Sequence, residues 1–238
     1  MEKNQTRLNK YIAKSGISSR RGADTLIASG MVSVNGKIVT QMGFKVNIDD
    51  IVKFNGSVIK GESLKYILLN KPKNYITTMR DPKDRNTVMQ LIDGACKERV
   101  YPVGRLDRST TGLLLFTNDG DLAKKLTHPS HSIKKIYRVS LNKELLLIDY
   151  KKIQNTLTLN DGPAPVDSIA YIKEKNKKDI GIELHIGRNR IVRRIFNHLG
   201  YKVLKLDRVF FGGLTKKDLP RKKFRFLSKK EVGLLKRL

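Results

Sequence analysis

The sequence predicts an α+β chain in two parts: a small basic module over residues 1–62 and a larger mixed, mainly antiparallel domain over 63–238. Three observations carry this. Two short helical patterns are followed by two strand–Asn–Gly–strand signals within the opening stretch. GSVIKGESLK then supplies a polar, glycine-containing link. Beyond it, seven strand candidates are interleaved with short helical segments, the pattern of an α+β sheet domain.

The elements follow in order. RLNKYIAKSG reads as a short helix, and Ser18 or Ser19 is placed to cap the next one. Ala23, Leu26 and Ile27 form its apolar stripe, and Gly30 suits the residue just past its end. VSVNGKIV and VKFNGSVI each alternate around Asn-Gly, predicting two hairpins. YILLNKP, VYPVGRL, LLLFTND, IYRVSL, SIAYIKE, IGIELHI and VLKLDRVFF are the strands of the second part. Helices are expected near Thr87–Ile92, Asp121–Leu126, Glu144–Ile153 and Asn189–Leu199. Ser228-Lys229-Lys230-Glu231 is a capping box that opens a last short helix. NYITTMRDPKDRNTV reads as a basic loop.

Composition narrows the function. The 238 residues carry 49 Lys and Arg against 22 Asp and Glu, a formal charge of +27. A surplus of this size points to a polyanionic partner. No apolar run is long enough to span a bilayer, so no membrane role is expected. The single cysteine, Cys96, forms no internal disulfide, which suits a reducing cytoplasm. His128 and His131 lie close together without an acid or thiol beside them, so no metal site is expected. GRNRIVRR lacks the second glycine and the lysine of a nucleotide-phosphate loop.

The charge is clustered. Arg20 and Arg21 open a helix, where the macrodipole disfavours cations. A phosphate there would accept from free amides and pair with both guanidiniums, and Arg7, Lys10 and Lys14 lie near in sequence. In GRNRIVRRIF the apolar residues share one helical face; Arg188, Arg190 and Arg194 are then candidates to meet RNA, and Arg193 sits on the flank between core and ligand. Arg221, Lys222, Lys223 and Arg225 read as a phosphate-attracting tail.

Within GRLDRSTTGLLLF one acid, Asp107, stands among arginines between two apolar runs that read as central strands. An ordinary turn would use such an Asp for nearby amides. A carboxylate launched from the edge of a core instead needs a partner, and arginine can grip it through two bonds. Held so, it is a positioned nucleophile or base. No second acid completes a two-carboxylate site, and no serine–histidine–acid spacing appears. Tyr137, in the alternating strand KKIYRVSL, is either a core aromatic or a platform for a base lifted out of an RNA stack.

GRLDRSTTGLLLFTNDGDLAKKLTHP, KKIYRV and GRNRIVRRIFNHLGYKVLKLDRV together resemble the successive motifs of bacterial ribosomal RNA pseudouridine synthases, of the group that joins the small-subunit enzyme of type A with the large-subunit enzymes of types B, E and F. TMRDPKDR and NDGPAP are most similar to type B, and RLNKYIAKSGI also resembles type F. RLNKYIAKSGISSRRGADTLIASGMVSVNGK resembles the alpha-L RNA-binding module of ribosomal protein S-four. The resemblance implies that Asp107 is the essential aspartate, Arg193 its ion-pair partner and Tyr137 the residue stacking on the target base. It implies Leu206 beneath that base and Arg105 in the gap left by the flipped nucleotide. It further implies isomerisation of a uridine in a ribosomal RNA stem-loop, without metal or cofactor; a cytoplasmic location, already suggested by the lone cysteine, and a monomer are the accompanying expectations. Ile186 departs from the pattern, standing where relatives usually carry glutamate. A non-catalytic ribosomal RNA binder or assembly factor is the competing expectation, which the trio Asp107, Tyr137 and Arg193 argues against.

Overall fold

A computed structural model describes residues 5–173 and 176–238. They form two compact units, the first ending at Lys65 and including Lys97–Arg99, the second built from Tyr66–Cys96 and Val100–Leu238.

The first unit runs β1 (Thr6–Arg7), α1 (Leu8–Lys14), α2 (Arg20–Ala28), β2 (Val32–Val34), β3 (Lys37–Ile38), β4 (Lys45–Val46), β5 (Val52–Phe54) and β6 (Ser57–Val58). The sheet order β3-β2-β5-β6 is two Asn-Gly hairpins joined side by side, with Asn35 and Asn55 in the left-handed region that such turns require. Ser19 caps α2 through the Gly22 amide at 3.0 Å, and Gly30 leaves the helix with φ +72°. Leu8, Ile12, Ala23 and Ile27 pack on Val32, Val34, Val46 and Val52 to form its core.

The second unit is built on a nine-stranded sheet. Its elements are β7 (Tyr66–Lys71), a 3-10 turn at Val88–Leu91, β8 (Tyr101–Pro102), β9 (Thr111–Thr117), α3 (Gly120–Thr127), a 3-10 turn at Pro129–His131, β10 (Lys135–Leu141), α4 (Leu147–Gln154), β11 (Leu157–Leu159), β12 (Gly162–Ala164), β13 (Ser168–Lys173), β14 (Asn176–Leu184), α5 (Ile191–His198), β15 (Val203–Phe211), β16 (Leu214–Thr215), β17 (Phe224–Phe226) and α6 (Lys229–Arg237). The order is β13-β14-β10-β15-β9-β7-β17, with β16 on β15 and β8 on β9. Every pairing along that order is antiparallel except β15 with β9.

The apolar runs explain the layering. YILLNK and TGLLLFT are buried on both faces, because α3 and α6 cover one side and the Val88–Leu91 turn covers the other. β14 alternates, burying Ile180, Ile182 and Leu184 against Ile191, Val192, Ile195 and Phe196 of α5.

Several expectations change. VYPVG is a two-residue strand and not a central one, since a glycine at φ +72° (Gly104) turns the chain away. The helix expected from Glu144 starts at Leu147. The tail is not a loose basic skin. Arg221 donates to Asn70 Oδ1 at 2.6 Å and Asp207 Oδ1 at 3.0 Å, and Arg225 makes a bidentate pair with Glu231 at 2.8 and 2.6 Å. β17, which carries Arg225, adds to the edge of β7.

Candidate active site

The site is assembled where β10 and β15 run beside the loop that links β8 to β9. Tyr137 lies directly opposite Arg208, and Val139 opposite Leu206. Alternation along each strand therefore puts Lys135, Tyr137, Leu206 and Arg208 on one face. That face is the floor of a cleft of about 160 Å³. Gly104, Arg105, Leu106, Asp107 and Thr110 form one wall, and Ile186, Gly187, Arg188, Arg190 and Ile191 another.

The Asp107 loop is pinned through its backbone. Lys71, at the end of β7, is fully buried, and its ammonium donates to the carbonyls of Asp107 at 3.1 Å, Thr110 at 2.8 Å and Pro72 at 3.1 Å. The Thr110 amide also donates to the Asp107 carbonyl at 3.0 Å. Burial pushes the Lys71 amine down to about 8; nearby Asp107 opposes the shift and Arg221 adds to it. Asp107 thus presents its carboxylate, with the side chain 31% exposed, from a fixed backbone.

Arg193 stands behind it, differently from the two-bond grip that the sequence suggests. Its Nε lies 4.0 Å from Asp107 Oδ2, an ion pair without a hydrogen bond. Its other nitrogens donate to the Val203 carbonyl at 2.9 Å and to Ser109 Oγ at 3.1 Å. Burial and the charge of Arg190 lower its affinity for a proton, and Asp107 raises it. Arg193 supports the cleft from outside and is not part of its lining.

Three buried donors in or beside the cleft have no hydrogen-bond partner among the described residues: Thr110 Oγ1, Arg193 Nε and Arg208 Nη2. Arg208 is 3% exposed, is anchored by Nε to the Leu113 carbonyl at 2.8 Å and lies 4.7 Å from the Phe211 ring centroid. Lys135 donates to the His185 carbonyl at 2.6 Å, and burial lowers its amine to about 8. The three unpartnered atoms are closed off from solvent, so each is a local cost of burial next to the cleft.

Asp107, Tyr137, Leu206, Arg105, Arg188 and Arg190 thus share one cleft, as the sequence suggests. Arg105 and Arg190 are exposed at its rim. Arg188 and Arg194 are not free: both are bound to Asp161, whose carboxyl they hold down at about 2, chiefly through the Arg194 hydrogen bonds. Arg20 and Arg21 lie in the first unit, both exposed at the start of α2. Lys71, Lys135, Thr110 and Arg208 join the site without having been singled out by sequence reasoning. For two of them a signal existed, since Lys135 is two residues from Tyr137 and Arg208 two from Leu206, on the same strand faces.

Comparison with known proteins adds the decisive observation. Residues 65–198 match the family model described as RNA pseudouridylate synthase. The chain belongs to the RNA pseudouridylate synthase family. Residues 6–52 match the S4 domain. The synthase is 40% identical to the ribosomal large subunit pseudouridine synthase B of Bacillus subtilis (strain 168), over 98% of this chain and 96% of that one. It is 38% identical to an RNA pseudouridine synthase of Aquifex aeolicus (strain VF5), over 97% of this chain and 94% of the relative. A crystal structure of a pseudouridylate synthase superposes with a TM-score of 0.70 at 27% identity, covering 96% of this synthase and 99% of that chain.

Proposed function

We propose that the protein converts one uridine of large-subunit ribosomal RNA into pseudouridine, in the cytoplasm, as a monomer. The observation that carries the reading is the placement of Asp107 on the wall of a cleft floored by Tyr137 and Leu206, with Arg193 4.0 Å behind it. The choice of the large ribosomal subunit is supported by the name of the Bacillus relative.

The isomerisation breaks the bond between ribose C1′ and uracil N1. The base then turns, and C1′ joins to C5. C5 loses its proton and N1 gains one, so atoms and electrons balance without a redox partner. A base in a stem must first be flipped out, and an aromatic shelf receives it. Tyr137 and Leu206, side by side on the floor, would pack against the uracil. Thr110 and Arg208 also line this space, beneath the base. Asp107 would act at the sugar or the base, as nucleophile or as the base that promotes elimination. Arg193 would balance its charge, Arg105 would help fill the gap that the flipped nucleotide leaves, and Arg190 at the rim would meet phosphate. Closing the cleft on the freed uracil favours recombination over escape.

The test is Asp107→Asn. The variant is expected to yield no pseudouridine in unmodified ribosomal RNA, mapped at nucleotide resolution, while its affinity for that RNA stays within about twofold of the parent, because the change removes no contact to phosphate. Substantial turnover by the variant would remove Asp107 from the chemistry. A wild-type protein that binds the RNA yet never modifies it would instead favour a non-catalytic assembly role.

A further inference from the structure

The wall of the cleft formed by residues 186–190 has no regular secondary structure, and Arg190 there sits in the left-handed region at φ +47°. Something outside the wall must hold it, since a non-glycine residue in that region is strained. The β11–β12 hairpin does so. Its tip is Asn160-Asp161, and Leu159 and Ala164 root it in the core against α5. The Asp161 carboxylate accepts from Arg194 Nη1 at 2.8 Å and Nη2 at 2.5 Å, a two-bond fork, and lies 3.1 Å from Arg188 Nη1. Arg188 also donates to the Asp161 carbonyl at 2.7 Å, to the Gly162 carbonyl at 3.4 Å and to the Pro163 carbonyl. Arg188 and Arg194 side chains are 28% and 32% exposed, so both guanidiniums are within reach of solvent and of a passing phosphate. One acid therefore occupies two cations, Arg188 in the wall of the cleft and Arg194 on the adjoining helix α5.

We propose that Asp161 is a positioning residue of the isomerisation: through Arg188 and Arg194 it fixes the 186–190 wall and withholds both guanidiniums from RNA phosphate. This rests on the isomerase reading for its kinetic arm only. The remaining rim cations, Arg105 and Arg190, then meet the RNA in a single geometry. Freed arginines would bind more tightly but at random, which raises affinity while loosening the wall that the flipped base must face.

The experiment compares full-length wild type, Asp161→Asn, Asp161→Glu and Arg194→Gln on an unmodified transcript of large-subunit ribosomal RNA. Binding is measured across a salt series, and pseudouridine formation in single turnover at saturating protein. Asp161→Asn should slow the single-turnover rate by roughly ten- to a hundredfold, the scale of a misplaced site. Its RNA affinity should rise several-fold, and the slope of log affinity against log salt should steepen by about one to two contacts. Asp161→Glu should restore most of the rate and the parental slope. Arg194→Gln should slow the rate while keeping the parental slope, because Asp161 still holds Arg188 and no cation is freed.

A purely structural Asp161 would instead lower the melting temperature and weaken binding and rate together, without rescue by Glu. That result overturns the proposal, as does an unchanged salt slope in Asp161→Asn. If wild type forms no pseudouridine on this transcript, the isomerase reading fails while the salt arm still decides for or against the clamp.

Discussion

Arg193 gives its hydrogen bonds to Val203 and Ser109, and its charge to Asp107 across 4.0 Å. The carboxylate is therefore left with lone pairs for substrate, and its direction comes from the main chain beneath it. Lys71 sets that main chain by bridging three carbonyls at 2.8–3.1 Å. Lys71→Met fills similar space and removes all three bonds. It should cost about 2–4 kcal/mol of stability, the scale of several buried acceptors losing their donor. The turnover should fall far more than RNA affinity, since no phosphate contact is lost. The pH dependence has a definite sign. Burial lowers the folded amine to about 8 from 10.5, so between those values the unfolded chain binds the extra proton and the folded state gains relative stability as pH rises. Below about 8 the penalty of burying the ammonium is fully present. The stability of wild type relative to Lys71→Met should thus increase between about pH 8 and 10 in urea titrations. Parallel curves would show that the buried ammonium carries no such penalty.

Among the elements, the parallel junction of β9 with β15 positions most of the floor. Gly112 sits there with φ +110°, and a Cβ on it would collide with the backbone nitrogen and carbonyl of Arg208. Gly112→Ala must push β15 away, displacing Arg208 and Leu206 together. A loss of more than about 3 kcal/mol in urea titration is expected, combining a disallowed backbone with a steric clash in the core. Unchanged stability would mean that the two strands separate freely. This junction was not legible in the sequence. Local periodicity shows that TGLLLFT and VLKLDRVFF are strands, and cap chemistry correctly marks Ser19 and Ser228, whose box with Glu231 closes as expected. Neither signal says that Asp207 meets Thr111 or that Arg221 reaches Lys71, 150 residues away. The same gap hid the roles of the tail arginines, which look solvated until their distant acceptors are in place. Leu206 entered only through the family resemblance, whereas Asp107 and Tyr137 were legible as candidates because each stands out within its own motif. Lys71 was not, because a lysine closing an apolar strand reads as an exposed end until three loop carbonyls fold over it.

At the scale of the whole molecule, +27 in 238 residues makes RNA affinity steeply dependent on salt, and the cations that matter are those without an internal carboxylate. Arg188, Arg194, Arg221 and Arg225 are all committed to acids of their own domain. Arg20 and Arg21 differ. They open α2, both exposed, beside the Ser19 cap and the free amides of the first turn. No acid stands in that turn, so the positive end of the helix dipole is left uncompensated. A phosphate there would satisfy amides, dipole and guanidiniums at once. The double variant Arg20→Glu, Arg21→Glu should therefore bind ribosomal RNA at least about tenfold more weakly at moderate salt, with a salt slope shallower by about two contacts. Glutamate at these positions suits the helix, so stability should hold or rise slightly, which separates lost contacts from lost folding. Single-turnover conversion at saturating protein should stay near the parental rate, because neither residue lies in the cleft. A slope equal to that of wild type would mean that the S4 domain meets its RNA through a different face.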